Sequence, residues 1–186
     1  MQSYIRSATV TTSLGWIIVA ATPKGVCMIE FGDTPEALQA RLASCFPHAH
    51  HAPADAEFNA WLQTVVTQIE APHSQLSVPL DIQGTAFQQR VWKALQSIPA
   101  GTTTSYAEIA QGIEQPRAVR AVAQACAANP VAVAIPCHRV ISSDGSLGGY
   151  RGGVERKQSL LAREAGSVST SRLDEAALNA ENAACR

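Results

Sequence analysis

The feature that most limits what this chain can fold into is the punctuation of residues 85–136, where start and stop signals cut every potential helix to a few turns. Thr85-Ala-Phe-Gln88 has the pattern of a capping box, in which the threonine hydroxyl accepts from the third helical N–H and the glutamine reaches back. It opens a helix carrying Phe87, Val91, Trp92 and Leu95 toward Pro99. Ser105-Tyr-Ala-Glu108 is a second box, and its helix ends at Gly112. Only Ile113 to Gln115 then precede Pro116, a suitable first residue for a third helix running to Ala128. Two short helices joined this tightly predict a helix-turn-helix. Val131 to Ile135 is β-branched and bounded by Asn129-Pro130 and Pro136, so it reads as a buried strand or extended segment that delivers Cys137 to the end of a rigid element. Gly148 to Gly153 reads as a loop, and Val154 to Glu164 as the last firm helix.

The first half carries a different pattern. Tyr4 to Thr11, Trp16 to Ala21 and Val26 to Phe31 are strand-like runs separated by turn residues, which predicts an antiparallel meander. Thr34-Pro35 then starts a short helix whose Leu38, Leu42 and Phe46 share one face. His48 to Pro53 reads as a loop, and Phe58, Trp61, Leu62, Val65 and Ile69 follow the spacing of an amphipathic helix closing at Pro72. The expected organisation is an α/β (α+β) unit with a small antiparallel sheet over 1–80, a mainly helical unit over 81–166, and a disordered tail over 167–186.

Charge adds a direction. Over all 186 residues 14 Lys and Arg face 15 Asp and Glu, which excludes a globally basic nucleic-acid binder. Residues 85–166, however, carry nine Lys/Arg and five Asp/Glu, so an anionic partner would meet the second half. Five cysteines without tight spacing, no apolar signal-like start and no apolar run near the ~20 residues of a membrane span point to a soluble, reducing, cytoplasmic setting. Cys45, His48, His50 and His51 crowd seven residues, but a zinc site needs about four well-spaced donors. They read as a solvated polar loop, with no metal and no cofactor expected.

Ile135-Pro136-Cys137-His138-Arg139-Val140 sets a thiol, an imidazole and a guanidinium side by side after a proline. A nearby imidazole or cation favours the thiolate, the nucleophilic form. The full pattern from Asn129-Pro130-Val131 to Val140 resembles the O6-alkylguanine-DNA alkyltransferase family. The resemblance extends over Phe87 to Trp92, Thr104-Ser105-Tyr106, Arg117 to Val122 and Gly148 to Glu164. Within that family the chain resembles most the carboxy-terminal half of the bacterial adaptive-response protein, on Cys126 to Asn129, Gly149 to Arg151 and Arg156-Lys157. Residues 3–80 match its companion domain more loosely.

The resemblance implies a DNA-repair protein that moves an alkyl group from O6-alkylguanine, and from O4-alkylthymine, in double-stranded DNA irreversibly onto Cys137, once per molecule. It implies that His138 deprotonates the thiol through a water, that Glu164 orients His138, that the Tyr106 hydroxyl faces the leaving oxygen, and that Asn129 is a hinge. Val140, Tyr150, Arg151 and Lys157 would form or border the nucleotide pocket. Base extrusion follows from chemistry on a stacked base, and Arg120 would fill the gap. Arg117, Gln124, Ala118 and Ala121, with Thr104, Ser105 and Arg139, would complete a minor-groove surface of a monomer working on the bacterial nucleoid. On the helix from Pro116, Val119, Val122 and Cys126 are expected in the core, with Arg117, Arg120 and Gln124 together on another face. Three other readings stay open: a lesion-binding module without transfer, a cysteine hydrolase, and a regulator acting through the helix-turn-helix.

Overall fold

The structure, a computed structural model, describes residues 4–72 and 76–166. The expected tail at 167–186 lies outside the described residues. Strands β1 (Tyr4–Thr12), β2 (Gly15–Thr22) and β3 (Gly25–Gly32) form the antiparallel meander. Helix α1 (Pro35–Cys45) follows, with Thr34 as its N-cap accepting from Ala37. The chain then forms a strand that the sequence reading misses: β4 (His50–His51) pairs in parallel with Tyr4 and Ile5. The sheet order is therefore β3-β2-β1-β4, and the sheet is mixed rather than antiparallel. Two exposed histidines give no hydrophobic alternation to announce an edge strand, so only the tertiary pairing reveals it.

Helix α2 (Ala56–Glu70) is capped by Asp55 and buries Phe58, Leu62, Val65 and Ile69, as its periodicity predicts. Each sheet face has its own cover. Ile18, Ala20 and Met28 pack with Leu38 and Leu42 of α1, whereas Ile17, Val19, Ile29 and Phe31 join α2 and the second half in one core. That larger core continues through Val91, Trp92 and Leu95 to Leu160, so the two halves share apolar interior.

The second half contains α3 (Ala86–Gln96), β5 (Thr104–Ser105), α4 (Tyr106–Gly112), α5 (Val119–Ala127), β6 (Val140–Ile141) and α6, helical over 154–166. Both capping boxes are formed, Thr85 with Gln88 and Ser105 with Glu108. The Trp92 indole N–H donates to Ala125 O at 2.9 Å, tying α3 to α5 inside the core. Helix α5 starts at Val119, three residues later than Pro116 suggests, because Glu114 takes a left-handed backbone at φ 60° and the chain turns through Ala118 before the helix begins. Val122, Ala125 and Cys126 are buried, while Val119, expected in the core, is the first residue of the helix and is 37% exposed.

Residues 131–135 are buried apart from the half-buried Ala132, and they form no strand. Ile29 N donates to Pro130 O at 3.0 Å and Ala132 N to Ile29 O at 2.9 Å, which seals the edge of β3 with a single bridge. The chain then tightens through Val133 at φ 60°, where Ala134 N bonds Ala132 O at 2.7 Å. A left-handed β-branched residue costs about 1–3 kcal/mol and is held only when its surroundings dictate it; Val133 is 6% exposed between Val131 and Ile135, both fully buried.

Candidate active site

The strained turn ends at Pro136 and hands over to a 3-10 turn, Cys137–Arg139. It aims three consecutive side chains at different partners. Cys137 is 9% exposed and lies on the wall of a cavity of about 470 Å³, together with Tyr106, Asn129, Tyr150 and Arg151. The sequence reading thus brings five of its residues to one hollow. The cavity is within the size range of ligand pockets.

Asn129 is the joint. Its Nδ2 donates to Ile135 O at 2.8 Å and to Cys137 Sγ at 3.2 Å, and its Oδ1 accepts from Val131 N at 3.0 Å. One buried amide therefore ties the end of α5 to the segment before the cysteine and reaches the sulfur itself. Burial pushes the Cys137 thiol above its ordinary pKa, more than the Asn129 hydrogen bond and the Lys157 and Arg151 charges pull it down. Neighbouring cations favour the thiolate, as the sequence suggests, but desolvation outweighs them and favours the thiol.

The next residue in the chain is a buried histidine. His138 Nε2 and Glu164 Oε1 are 2.8 Å apart, and His138 Nδ1 is buried with no hydrogen-bond partner among the described residues. Burial holds the His138 pKa below its usual value despite the Glu164 carboxylate, so the ring is neutral. Burial would raise the Glu164 pKa, but hydrogen bonds from His138 and Arg139 bring it down to about 2. An ionised Glu164 can only accept, which places the proton on Nε2 and leaves Nδ1 as the basic nitrogen.

Arg139 stands elsewhere than expected. It is 4% exposed, its Nε and Nη2 donate to Glu164 at 2.8–3.2 Å, and its Nη1 donates to Ile98 O at 2.5 Å. A guanidinium so enclosed does not reach DNA; it keeps Glu164 charged. Val140 and Lys157 are also fully buried, and neither lies on the cavity wall. Lys157 Nζ donates to the carbonyls of Val140 and Leu147, so it fixes the two ends of the loop between them. Thr104 and Ser105 pair with Val140 and Ile141, and both hydroxyls bond Glu108. They connect the helix pair to the cysteine segment.

The outer face is simpler. Arg117, Arg120 and Gln124 are exposed, Ala118 and Ala121 half-buried, and neither arginine has an ion-pair partner among the described residues. The sequence reading misses the part of the cavity wall supplied by β3, namely Ile29, Glu30 and Phe31. Nothing in that strand distinguishes it from an ordinary core strand. Gly152 lets the loop lie against it, since a Cβ there would meet Tyr150 at 2.8 Å and Phe31 at 3.2 Å. Cys45 and His48, His50 and His51 are all exposed, spread from the end of α1 into β4.

The fold and site define an α+β protein with a buried cysteine on a cavity wall, followed in the chain by a histidine buried against a glutamate. The family model of the 6-O-methylguanine DNA methyltransferase DNA binding domain matches residues 86–166, and that of the ribonuclease-like domain matches residues 5–82. The inducible methylated-DNA--protein-cysteine methyltransferase of Bacillus subtilis is 41% identical over 147 residues, 78% of this chain and 82% of its own. The bifunctional transcriptional activator/DNA repair enzyme Ada of Escherichia coli is 49% identical over 161 residues, 87% of this chain and 46% of its own. The chain thus spans about half the length of the curated relatives it matches first. The crystal structure of Mycobacterium tuberculosis OGT in complex with DNA superposes with a TM-score of 0.73 at 35% identity, covering 88% of this chain and 94% of that one. The chain belongs to the 6-O-methylguanine DNA methyltransferase family.

Proposed function

We propose that the protein repairs DNA by direct reversal, taking the alkyl group of O6-alkylguanine, and of O4-alkylthymine, onto Cys137. The observation that carries this is the Cys137 thiol on the cavity wall, next in sequence to a buried histidine whose Nε2 meets Glu164. In the reaction, His138 Nδ1 receives the thiol proton through an intervening water, and the sulfur attacks the alkyl carbon in line. The S–C bond forms as the C–O6 bond breaks, and the proton ends on the guanine, with the Tyr106 hydroxyl stabilising the leaving oxygen. No redox partner or cofactor enters the balance. A thioether is not reversed by water, so each molecule acts once.

Duplex DNA hides O6 within the stack, so the base is turned out into the cavity. The α4–α5 pair acts as the helix-turn-helix, lying in the minor groove. Arg120 fills the vacated stack, while Arg117 and Gln124 hold the backbone and Ala118 and Ala121 allow close approach. Tyr150 and Arg151 wall the base. The chain is read as two units, 1–80 and 81–166, in a monomer acting in the cytoplasm at the nucleoid. No helix among the described residues is long and apolar enough to cross a membrane.

Intact-mass analysis after incubation with excess duplex containing O6-methylguanine tests the reading. One methyl group mapped to Cys137 and saturating at one equivalent is the expected result. DNA binding without a mass change would leave a lesion-binding module instead.

A further inference from the structure

Two adjacent residues of α6 hold the loop that walls the Cys137 cavity, each at a different end. Lys157 takes the near end, where its Nζ donates to Leu147 O. Arg156 takes the far end, where its Nη1 donates to Gly152 O at 2.8 Å. Gly148 to Arg151 run between these attachments outside any helix or strand, so no ladder of backbone bonds fixes their course. Gly148 and Gly153, at φ 63° and 93°, bound the segment.

The other nitrogens of Arg156 reach into the first half of the chain. Nε donates to Leu14 O at 2.7 Å, in the turn between β1 and β2. Nη2 donates to Gly32 O at 3.2 Å and to Asp33 Oδ1 at 2.7 Å, at the end of β3. The guanidinium carbon also stands 6.0 Å from the centre of the Phe31 ring. Phe31 and Gly152 both wall the cavity, and a Cβ on Gly152 would meet Phe31 at 3.2 Å, so strand and loop touch where the arginine holds them. The turn makes room for the head group through Gly15, where a Cβ would stand 3.0 Å from Nη2. A rigid planar fork can span three carbonyls in this way, whereas a single ammonium cannot.

Resting on the transfer activity proposed above, we propose that Arg156 is a positioning residue: it fastens the far end of the 148–153 loop to the N-terminal sheet and so fixes the wall against which the extruded base faces Cys137. Arg156 is not itself among the residues lining the cavity, so it acts through Gly152 and Phe31. A wall that shifts moves the alkyl carbon off the line of attack, and a misplacement of 1 Å costs about 10²-fold in rate.

The test is methyl transfer from duplex O6-methylguanine and from the free base O6-methylguanine, recording the rate constant and the methyl equivalents finally taken up per protein. Arg156→Ala should slow both substrates by about tenfold or more, still reach one equivalent, and bind undamaged duplex as the wild type does. Arg156→Lys, which keeps the charge and loses the fork, should slow nearly as far. Asp33→Ala removes an acceptor whose side chain is 89% exposed and should leave the rate unchanged, because a screened pair contributes little. A wild-type rate in Arg156→Ala overturns the role, as does full recovery in Arg156→Lys. Fewer equivalents at an unchanged rate would mean that the arginine only holds the fold, and slowing on duplex alone would mean that it acts on DNA binding; either result overturns the positioning role. Methyl transfer by the wild-type protein is the control. Its absence would overturn the activity itself and the role with it, whereas wild-type transfer with an unmoved Arg156→Ala removes the role alone.

Discussion

His138 Nε2 meets Glu164 Oε1 at 2.8 Å across 26 residues of sequence, with the two side chains 1% and 2% exposed. The contact joins the 3-10 turn of Cys137 to the last turns of α6. Arg139 bonds the same carboxylate and keeps it ionised. One helix position therefore sets the His138 tautomer and neutralises a buried guanidinium, and under the proposed function it orients the base.

Glu164→Gln should consequently fail in two ways. Transfer should slow by about 10²–10⁴-fold, the range for a lost acid–base group. Leaving Arg139 buried without its anion should cost about 3–5 kcal/mol of stability. Single-turnover assays and urea denaturation read the two separately. A variant with near wild-type transfer would show that His138 needs no orienting partner.

Acid should destabilise the protein in two windows. The folded His138 pKa lies below 6.5, so as pH falls through about 6.5 the unfolded chain gains a proton that the native state refuses. Stability tied to this group is present above that pH and lost below it. Glu164 is held at about 2, against an unfolded value near 4.5, so its contribution, on the order of 3 kcal/mol, is lost between about pH 5 and 2. Urea midpoints between pH 8 and 5.5 should fall for the wild type and stay flatter for His138→Gln. Equal slopes would mean that His138 is not the group titrating.

Free thiol reactivity should separate position from function. With burial raising its pKa and 9% exposure, Cys137 should react with iodoacetamide at neutral pH more slowly than the exposed Cys45. Peptide mapping over a time course decides the order. A faster Cys137 would mean that the thiolate already stands in the free protein.

The sequence makes some elements plain because their signals are local. Both capping boxes, the Thr34 cap and the α2 stripe of Phe58, Leu62, Val65 and Ile69 form where the residues indicate. The errors come where tertiary contact overrides local pattern. His50 and His51 have no strand signature and pair only because β1 has a free edge. Val131 to Ile135 reads as a strand or extended segment, and bridging to Ile29 at one point with anchoring by Asn129 bends it through Val133. Cys137 and His138 stand out by adjacency, and Glu164 is found only through resemblance, as a carboxylate on a helix face carries no mark of burial. Arg139 is misplaced for the converse reason: a cation beside a nucleophile suggests a surface, and its use inside is visible only in the packing. The β3 wall of the cavity has no sequence signal at all.

Asn129→Ala should damage both structure and transfer. Three hydrogen bonds go at once; Ile135 O keeps the Cys137 N–H at 2.8 Å, whereas Val131 N is left buried without its partner. An unmet buried group costs about 1–3 kcal/mol, and a loss of that order is expected. Denaturant midpoints measure the loss, and transfer should fall further than stability alone explains, because the sulfur loses its 3.2 Å donor. Wild-type stability would remove the hinge role.

Arg120→Ala separates the outer face from the chemistry. Arg120 is exposed on α5 and has no ion-pair partner among the described residues to keep it at the surface for structural reasons. If it fills the stack after extrusion, its loss should slow transfer from duplex O6-methylguanine by about tenfold or more, since an unstacked base costs a few kcal/mol to hold. Transfer from the free base O6-methylguanine, which has no stack to leave, should be unaffected. Arg117→Ala should instead weaken duplex affinity and flatten its salt dependence by about one phosphate contact, with little change in the rate at saturating DNA. Equal loss on duplex and free base would take Arg120 out of the extrusion step and return it to general electrostatics.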